Sequence, residues 1–200
     1  MSDLHCPARI IVARHGETEY ETPEMNATGG SLTLRGREQA RELGERLRGE
    51  RVAAVVSSDL SRAVQTAEIA AAVLGLPVRV RERMYEYPAG DYLGHPYDHA
   101  FFDPLVRGWL AGDLDAGVPG GETGRETADR VLGVLDDVAD QHRGETVLAI
   151  THGGVILALW GAIAPGSSLA PRSDGVANGA AYVFERDADG WRVGTPLQRS

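Results

Sequence analysis

The chain has 200 residues and a formal net charge of −9 at pH 7, from 29 acidic and 20 basic side chains, a balance that argues against general binding to nucleic acid or to anionic membranes. None of the 20 basic residues is a lysine, which excludes P-loop nucleotide hydrolases and Schiff-base or pyridoxal-phosphate chemistry, all of which need a lysine amine. The single cysteine, Cys6, leaves no intramolecular disulfide and no cysteine-rich zinc site, and Val12 stands where a phosphatase loop built on Cys6 would need arginine.

At the N-terminus, Met1-Ser2-Asp3-Leu4-His5 lacks a basic segment followed by a long apolar one, and no later stretch approaches a membrane span. A cytoplasmic protein with one domain over residues 1–200 is therefore expected, its length being enough for a core of its own. The first predicted strand, residues 9–13, is an apolar run that ends directly on Arg14-His15-Gly16-Glu17-Thr18. In open α/β sheets the carboxyl ends of strands face the ligand crevice, so an imidazole and a guanidinium at this point suggest chemistry on an anion. Glu17 is read as holding the loop by hydrogen bonds and Thr18 as a candidate donor to phosphate.

A glycine-rich loop through Gly29 and Gly30 leads to Thr33, which can cap a helix whose apolar face is Ala40, Leu43 and Leu47. A strand over residues 52–57 then runs into Ser57-Ser58-Asp59-Leu60-Ser61-Arg62. The following helix places Ala63, Ala67, Ala70 and Leu74 on one face and is stopped by Gly75 and Pro77. A helix start favours an anion through its free N–H groups and dipole, and Arg62 in the first turn adds a formal charge. Residues 78–81 form the next strand. Beyond it, His95 and His99 have the spacing of a metal pair on a helix, but with no clear third ligand they read as an exposed segment near a substrate mouth.

The third predicted helix, Gly124–Gln141, buries Ala128, Val131, Leu132, Leu135, Val138 and Ala139. Glu122 and Thr123 stand at its start, where either capping or a substrate contact would explain them. A strand over residues 146–150 ends on Thr151-His152-Gly153-Gly154. Two last strands, residues 180–185 and 191–195, are joined by the turn Asp187-Ala188-Asp189-Gly190. Alternation of strands and helices, closed by a hairpin, predicts a three-layer α/β/α sandwich around a mixed, mostly parallel sheet of about six strands. If the first, second and fourth strands are parallel neighbours, Arg14, His15, Arg62 and His152 converge on one crevice.

Six stretches carry a resemblance: RHGET at 14–18, LTLRGREQA at 32–40, SSDLSRAVQTA at 57–67, MYEYPAGDYLG at 84–94, PGGET at 119–123 and THGG at 151–154. In content, order and approximate spacing the chain resembles the phosphatase branch of the histidine phosphatase superfamily, also called the phosphoglycerate mutase-like family, over nearly its whole length. The resemblance implies the phosphoglycerate mutase-like sandwich and a metal-independent, cofactor-free phosphomonoester hydrolase working through a phosphohistidine on a small phosphorylated metabolite. It assigns nucleophilic attack to His15, binding of the equatorial oxygens to Arg14, Arg62 and His152, and general acid chemistry to Glu86, whose place after Met84 fits the family spacing better than that of Glu82. Thr18, Gly153, Glu21 and Asn26 are the further candidates for contact with phosphate or substrate.

On these roles His15 must be neutral to attack, Glu86 must begin protonated, and the rate should have a bell-shaped pH dependence, its acidic limb from His15 or the substrate. A small-molecule substrate is the expected partner, and a homodimer is an open expectation because dimers are common among relatives. Two departures bear on substrate. Many members place an aromatic residue and then a phosphate-contacting asparagine after RHGET, where this chain has Tyr20-Glu21, with Asn26 as a substitute; Asp91-Tyr92-Leu93-Gly94 also differs from the usual aromatic and glutamate. The alternatives are phosphoglycerate mutase-type transfer, which the short interval between acid segment and late histidine disfavours, and a non-catalytic phospho-ligand binding protein.

Overall fold

The structure is a computed structural model that describes residues 6–20, 22–171 and 175–197. In chain order the elements are β1 (Ala8–Arg14), β2 (Thr18–Glu19), β3 (Ser31–Leu32), α1 (Leu34–Arg46), β4 (Val52–Ser58), α2 (Ser61–Leu74), β5 (Val78–Arg81), α3 (His99–Ala111), α4 (Gly124–Gln141), β6 (Thr146–Thr151), α5 (Gly153–Ile163), β7 (Ala181–Asp187) and β8 (Gly190–Val193). Six strands form one sheet in the order β5-β4-β6-β1-β7-β8. The first four are mutually parallel, and β7 and β8 add an antiparallel edge. This is the mixed, mostly parallel sheet expected from the sequence, with helices on both faces.

Both faces are covered because the central strands are apolar on both sides. Side chains alternate across a strand, so Ile10, Val12, Val147 and Ala149 enter one core with α3, α4 and α5. Ile11, Ala13, Leu148 and Ile150 enter a second core with α1 and α2. Each fully buried branched side chain contributes about 1.5–3 kcal/mol of hydrophobic stabilisation. On the second face α1 presents Ala40, Leu43 and Leu47 and α2 presents Ala63, Ala67 and Ala70, all buried. Small residues let these helices approach closely: a Cβ at Gly44 would lie 2.9 Å from the Ala70 carbonyl oxygen.

The predicted caps form. The Thr33 hydroxyl accepts from the Gly36 N–H, Gly75 ends α2 at φ +71°, and Thr123 with Glu126 closes a capping box on α4. Two helices were not foreseen. In α5, eight of 11 residues are buried, so it is apolar all round and lacks the one-sided period that marks a surface helix. In α3, Pro104 sits inside the helix, where proline ordinarily signals a break. It is tolerated because Ala100, whose carbonyl loses its partner, is exposed near the helix start. Among the described residues no helix is long and apolar enough to cross a membrane.

Candidate active site

Strands β4, β6 and β1 are adjacent and parallel, so their carboxyl ends meet at one edge of the sheet. Arg14 pairs with Thr151 across β1 and β6, which sets His15 beside His152. The His15 N–H donates to the Thr151 carbonyl at 3.0 Å, and the imidazole centroids are 5.3 Å apart at 60°. Arg62 enters from the first turn of α2, just past β4. The expected convergence of Arg14, His15, Arg62 and His152 is therefore present.

The loop that carries His15 is anchored on several sides. Gly16 N–H donates to Thr66 Oγ1, Asn178 Nδ2 donates to the His15 carbonyl, and Thr33 Oγ1 donates to Glu17 Oε1 at 2.8 Å. Two glycines allow the loop to rest on α1. A Cβ at Gly16 would lie 2.4 Å from the Gly36 carbonyl oxygen, and one at Gly36 would lie 2.0 Å from that of Glu17. Glu17 thus holds the loop, as read from sequence.

His15 is only 3% exposed. Its Nδ1 lies 2.8 Å from the Gly16 carbonyl oxygen, an acceptor with no proton of its own, so the proton resides on Nδ1 and the Nε2 lone pair is left free. Burial, then the Arg14 charge, then the weaker effect of Arg62 lower its pKa to about 3, against an opposing contribution from the Gly16 hydrogen bond. The ring is therefore neutral at neutral pH. His152 is fully buried, and burial followed by the Arg62 charge holds its pKa well below the usual histidine range. Its Nε2 lies 2.9 Å from Ser58 Oγ.

Four buried side-chain nitrogens among the described residues have no hydrogen-bond partner: Arg14 Nε, Arg62 Nε, His152 Nδ1 and Trp160 Nε1. Three of the four belong to the side chains assigned to the phosphate. A buried unpaired donor costs about 1–3 kcal/mol, more when charged, so this concentration marks a place where an anion would restore what folding removed. The other ends of the two guanidinium groups are fixed, Arg14 Nη1 to the Val176 carbonyl and Arg62 Nη1 to that of Gly29 at 3.0 Å.

Glu86 lies on the loop after β5. Its Oε1 accepts from Tyr87 N–H and Val155 N–H and its Oε2 from Gly154 N–H, each at 3.1 Å. The carboxylate thus occupies the N-terminus of α5, where amides and helix dipole favour negative charge. Gly154 must be small to permit this, since a Cβ there would lie 2.1 Å from the Tyr87 ring and 2.8 Å from Glu86 Oε1. Glu82 is exposed and does not line the cavity.

Arg14, His15, Arg62 and Glu86 line a cavity of about 610 Å³. Asn26 also lines it, with its Oδ1 accepting from Gly29 N–H at 2.6 Å. Thr18 does not line it; its hydroxyl donates to the Gly16 carbonyl at 3.0 Å and lies 3.3 Å from His15 Nδ1, on the side of the ring away from the free Nε2. Gly153 begins α5, and a Cβ on it would lie 3.4 Å from Arg14 Nε. Glu21 lies outside the described residues. His95 and His99 are exposed beside a cavity-roofing segment: Met25 N–H donates to the His95 carbonyl, Gly94 N–H donates to that of Met25, and Tyr97 lines the cavity. Among the described residues no group of three or more His, Cys, Asp or Glu side chains could hold a metal ion.

The sequence reading missed Ser58, Asn178 and the aromatic wall of Tyr85, Tyr97 and Phe102. Ser58 had a visible signal as the last residue of a strand entering the same crevice. The aromatic residues had none, because two separate segments, the loop carrying Tyr85 and the stretch entering α3 with Tyr97 and Phe102, meet to form the wall.

The sequence profile of the histidine phosphatase superfamily (branch 1) matches residues 10–196. Phosphoglycerate mutase-like protein 4 of Arabidopsis thaliana is 34% identical over 195 residues, covering 93% of this chain and 83% of its own. Among solved structures, Bacillus stearothermophilus YhfR superposes with a TM-score of 0.76 at 29% identity, over 96% of this chain and 98% of its own. A mycobacterial glucosyl-3-phosphoglycerate phosphatase superposes with a TM-score of 0.73 at 25% identity, over 96% and 100%. With the profile spanning nearly all of the described residues and the superposed folds sharing this sheet and its helices, the chain belongs to the histidine phosphatase superfamily, branch 1.

Proposed function

We propose that the protein is a phosphomonoester hydrolase that works through a phosphohistidine on His15. The observation that carries this reading is the set of partnerless buried nitrogens on Arg14, Arg62 and His152 around a neutral imidazole with a free Nε2. An incoming phosphate accepts from these donors, each charge-assisted bond contributing about 1.5–3 kcal/mol. Nε2 attacks phosphorus in line, and the P–N bond forms as the P–O bond to the leaving group breaks. Glu86, carrying the proton that the negative charge of the bound phosphate favours on a neighbouring carboxyl, gives it to the departing oxygen. Water then attacks phosphorus, Glu86 takes its proton, and the P–N bond breaks to release inorganic phosphate. Arg14 and Arg62 offset the charge that builds on the equatorial oxygens.

Hydrolysis is favoured over mutase-type transfer by the rest of the cavity. The only cationic side chains among its described lining residues are Arg14 and Arg62, while Glu24 and Asp59 add negative charge and Tyr20, Tyr85, Tyr97 and Phe102 provide aromatic surface. A mutase on phosphoglycerate must also hold a carboxylate, for which the described lining residues offer no further cation. The preferred substrate is therefore a monophosphate ester whose remainder is uncharged and has aromatic or apolar surface.

The test is hydrolysis of para-nitrophenyl phosphate by wild type and His15→Ala, with phosphoglycerate mutase activity assayed in parallel. Hydrolysis should vanish in the variant, and denaturing quench of the wild type should trap an acid-labile, alkali-stable phosphate. Undiminished turnover by His15→Ala would refute the phosphohistidine route.

A further inference from the structure

The segment between β5 and the cavity wall, residues 82–89, lies outside the main sheet and the helices, so its backbone groups must find partners elsewhere. Three consecutive carbonyls find them. Arg130 Nη1 donates to the Arg83 carbonyl at 2.7 Å and to the Tyr85 carbonyl at 3.1 Å. Thr151 Oγ1, at the end of β6, donates to the Met84 carbonyl at 2.8 Å. The next residue in the chain is Glu86. Arg83 itself is at φ +67°, a left-handed conformation that a side-chain-bearing residue keeps only when its surroundings impose it.

Arg130 is rigid because Glu122 grips its other edge. Arg130 Nε donates to Glu122 Oε1 at 3.0 Å and Nη2 donates to Oε2 at 2.7 Å, and Thr127 Oγ1 donates to the same Oε2 at 2.9 Å. The pair is largely sheltered, with side-chain exposures of 7% for Arg130 and 18% for Glu122. The guanidinium carbon lies 3.8 Å from the centroid of the Tyr85 ring, itself part of the cavity wall. Glu122 is thus neither a cap for α4 nor a group in the cavity.

We propose that Glu122 and Arg130 are positioning residues for the general acid, a forked clamp that fixes residues 83–85 so that the Glu86 carboxyl stands over the leaving-group side of the phosphate site. The inference rests on Glu86 being the proton donor. A carboxylate–guanidinium pair can hold two carbonyls two residues apart at a fixed spacing, which an ammonium on a flexible stem cannot do.

The experiment compares two esters. Para-nitrophenyl phosphate has a good leaving group and needs little protonation, whereas phenethyl phosphate expels an alkoxide and depends on the acid. Because Glu86 also acts as base in the hydrolysis of the phosphohistidine that both esters share, the comparison is made on kcat/KM, which reports the steps through transfer to His15. Arg130→Lys and Glu122→Gln should each lower it about 100-fold on phenethyl phosphate, within the range that general acid catalysis supplies. On para-nitrophenyl phosphate the loss should be under about 3-fold, and vanadate affinity should be essentially retained. Glu86→Gln should show the same selectivity, and Glu86→Gln combined with Arg130→Lys should be no worse than Glu86→Gln alone, because groups acting as a unit are not additive. A structural role would depress both esters equally. Equal loss on both esters, or an additive double variant, with Glu86→Gln still selective, overturns the clamp alone. If Glu86→Gln shows no selectivity, the general-acid assignment falls and the clamp proposal with it. Glu122→Gln keeps the test decisive should Arg130→Lys fold poorly.

Discussion

Acidification should unfold this protein partly through its own nucleophile. His15 is 3% exposed, and burial together with Arg14 depresses its pKa from 6.5 to about 3. The unfolded chain binds a proton here below pH 6.5 while the folded chain does not, so stability present above pH 6.5 is lost progressively as pH falls toward 3. Integrating that difference from pH 8 to pH 5 removes about 2 kcal/mol, and stopping at pH 6 removes about 0.8 kcal/mol. In His15→Gln that contribution is absent, whereas His152, with a pKa depressed in the same direction, and the carboxylates remain in both chains.

Urea unfolding followed by tryptophan fluorescence, with Trp109 and Trp160 buried as reporters, measures stability of both chains at each pH. The wild type should lose about 2 kcal/mol more than His15→Gln between pH 8 and pH 5. Parallel stability curves would refute the neutral, desolvated imidazole and with it the argument for a ready Nε2 lone pair.

Three other outcomes are expected. Arg62→Lys should lower kcat/KM about 10- to 100-fold despite keeping its charge, because an ammonium cannot offer the planar fork; steady-state kinetics with para-nitrophenyl phosphate reads it. Ser58→Ala should cost about 1–3 kcal/mol in thermal unfolding by leaving His152 Nε2 buried without its partner at 2.9 Å, and should weaken vanadate binding. Because His15 stays neutral down to about pH 3, the acidic limb of kcat/KM should follow the second ionisation of the substrate. It should therefore move between two aryl phosphates of different second pKa, and a limb common to both would contradict this.

Much of the architecture was readable in one dimension because its causes are local. Strands β1, β4 and β6 are short continuous apolar runs, and α1, α2 and α4 show one-sided helical periods that end in visible caps. Both missing helices lack that local signature. Surrounded by α3, α4 and the sheet, α5 has no polar face, and α3 hides behind Pro104 and Gly108. At the site, Arg14, His15, Arg62 and His152 could be found because each stands beside a strand end or in the first turn of a following helix. Parallel pairing then makes such ends coincide. Thr18 was read as a donor to phosphate from proximity in sequence, and in the fold its hydroxyl meets the Gly16 carbonyl and the Nδ1 edge of His15.

The amino-acid sequence by itself determined the family, the layer order and the groups at the strand ends, since these follow from periodicity and from motifs that are contiguous. Only the tertiary structure decided which tautomer His15 holds, that three buried nitrogens are left without partners, that aromatic side chains from separate segments wall the cavity, and that Glu122 serves Arg130 instead of capping α4 or reaching the cavity. These properties depend on desolvation and on hydrogen-bond geometry between residues distant in the chain: 94 positions separate Ser58 from His152, and 45 separate Arg130 from Tyr85. No local pattern encodes such distances; they arise when parallel strands bring their ends to one edge and the loops must satisfy their polar groups there.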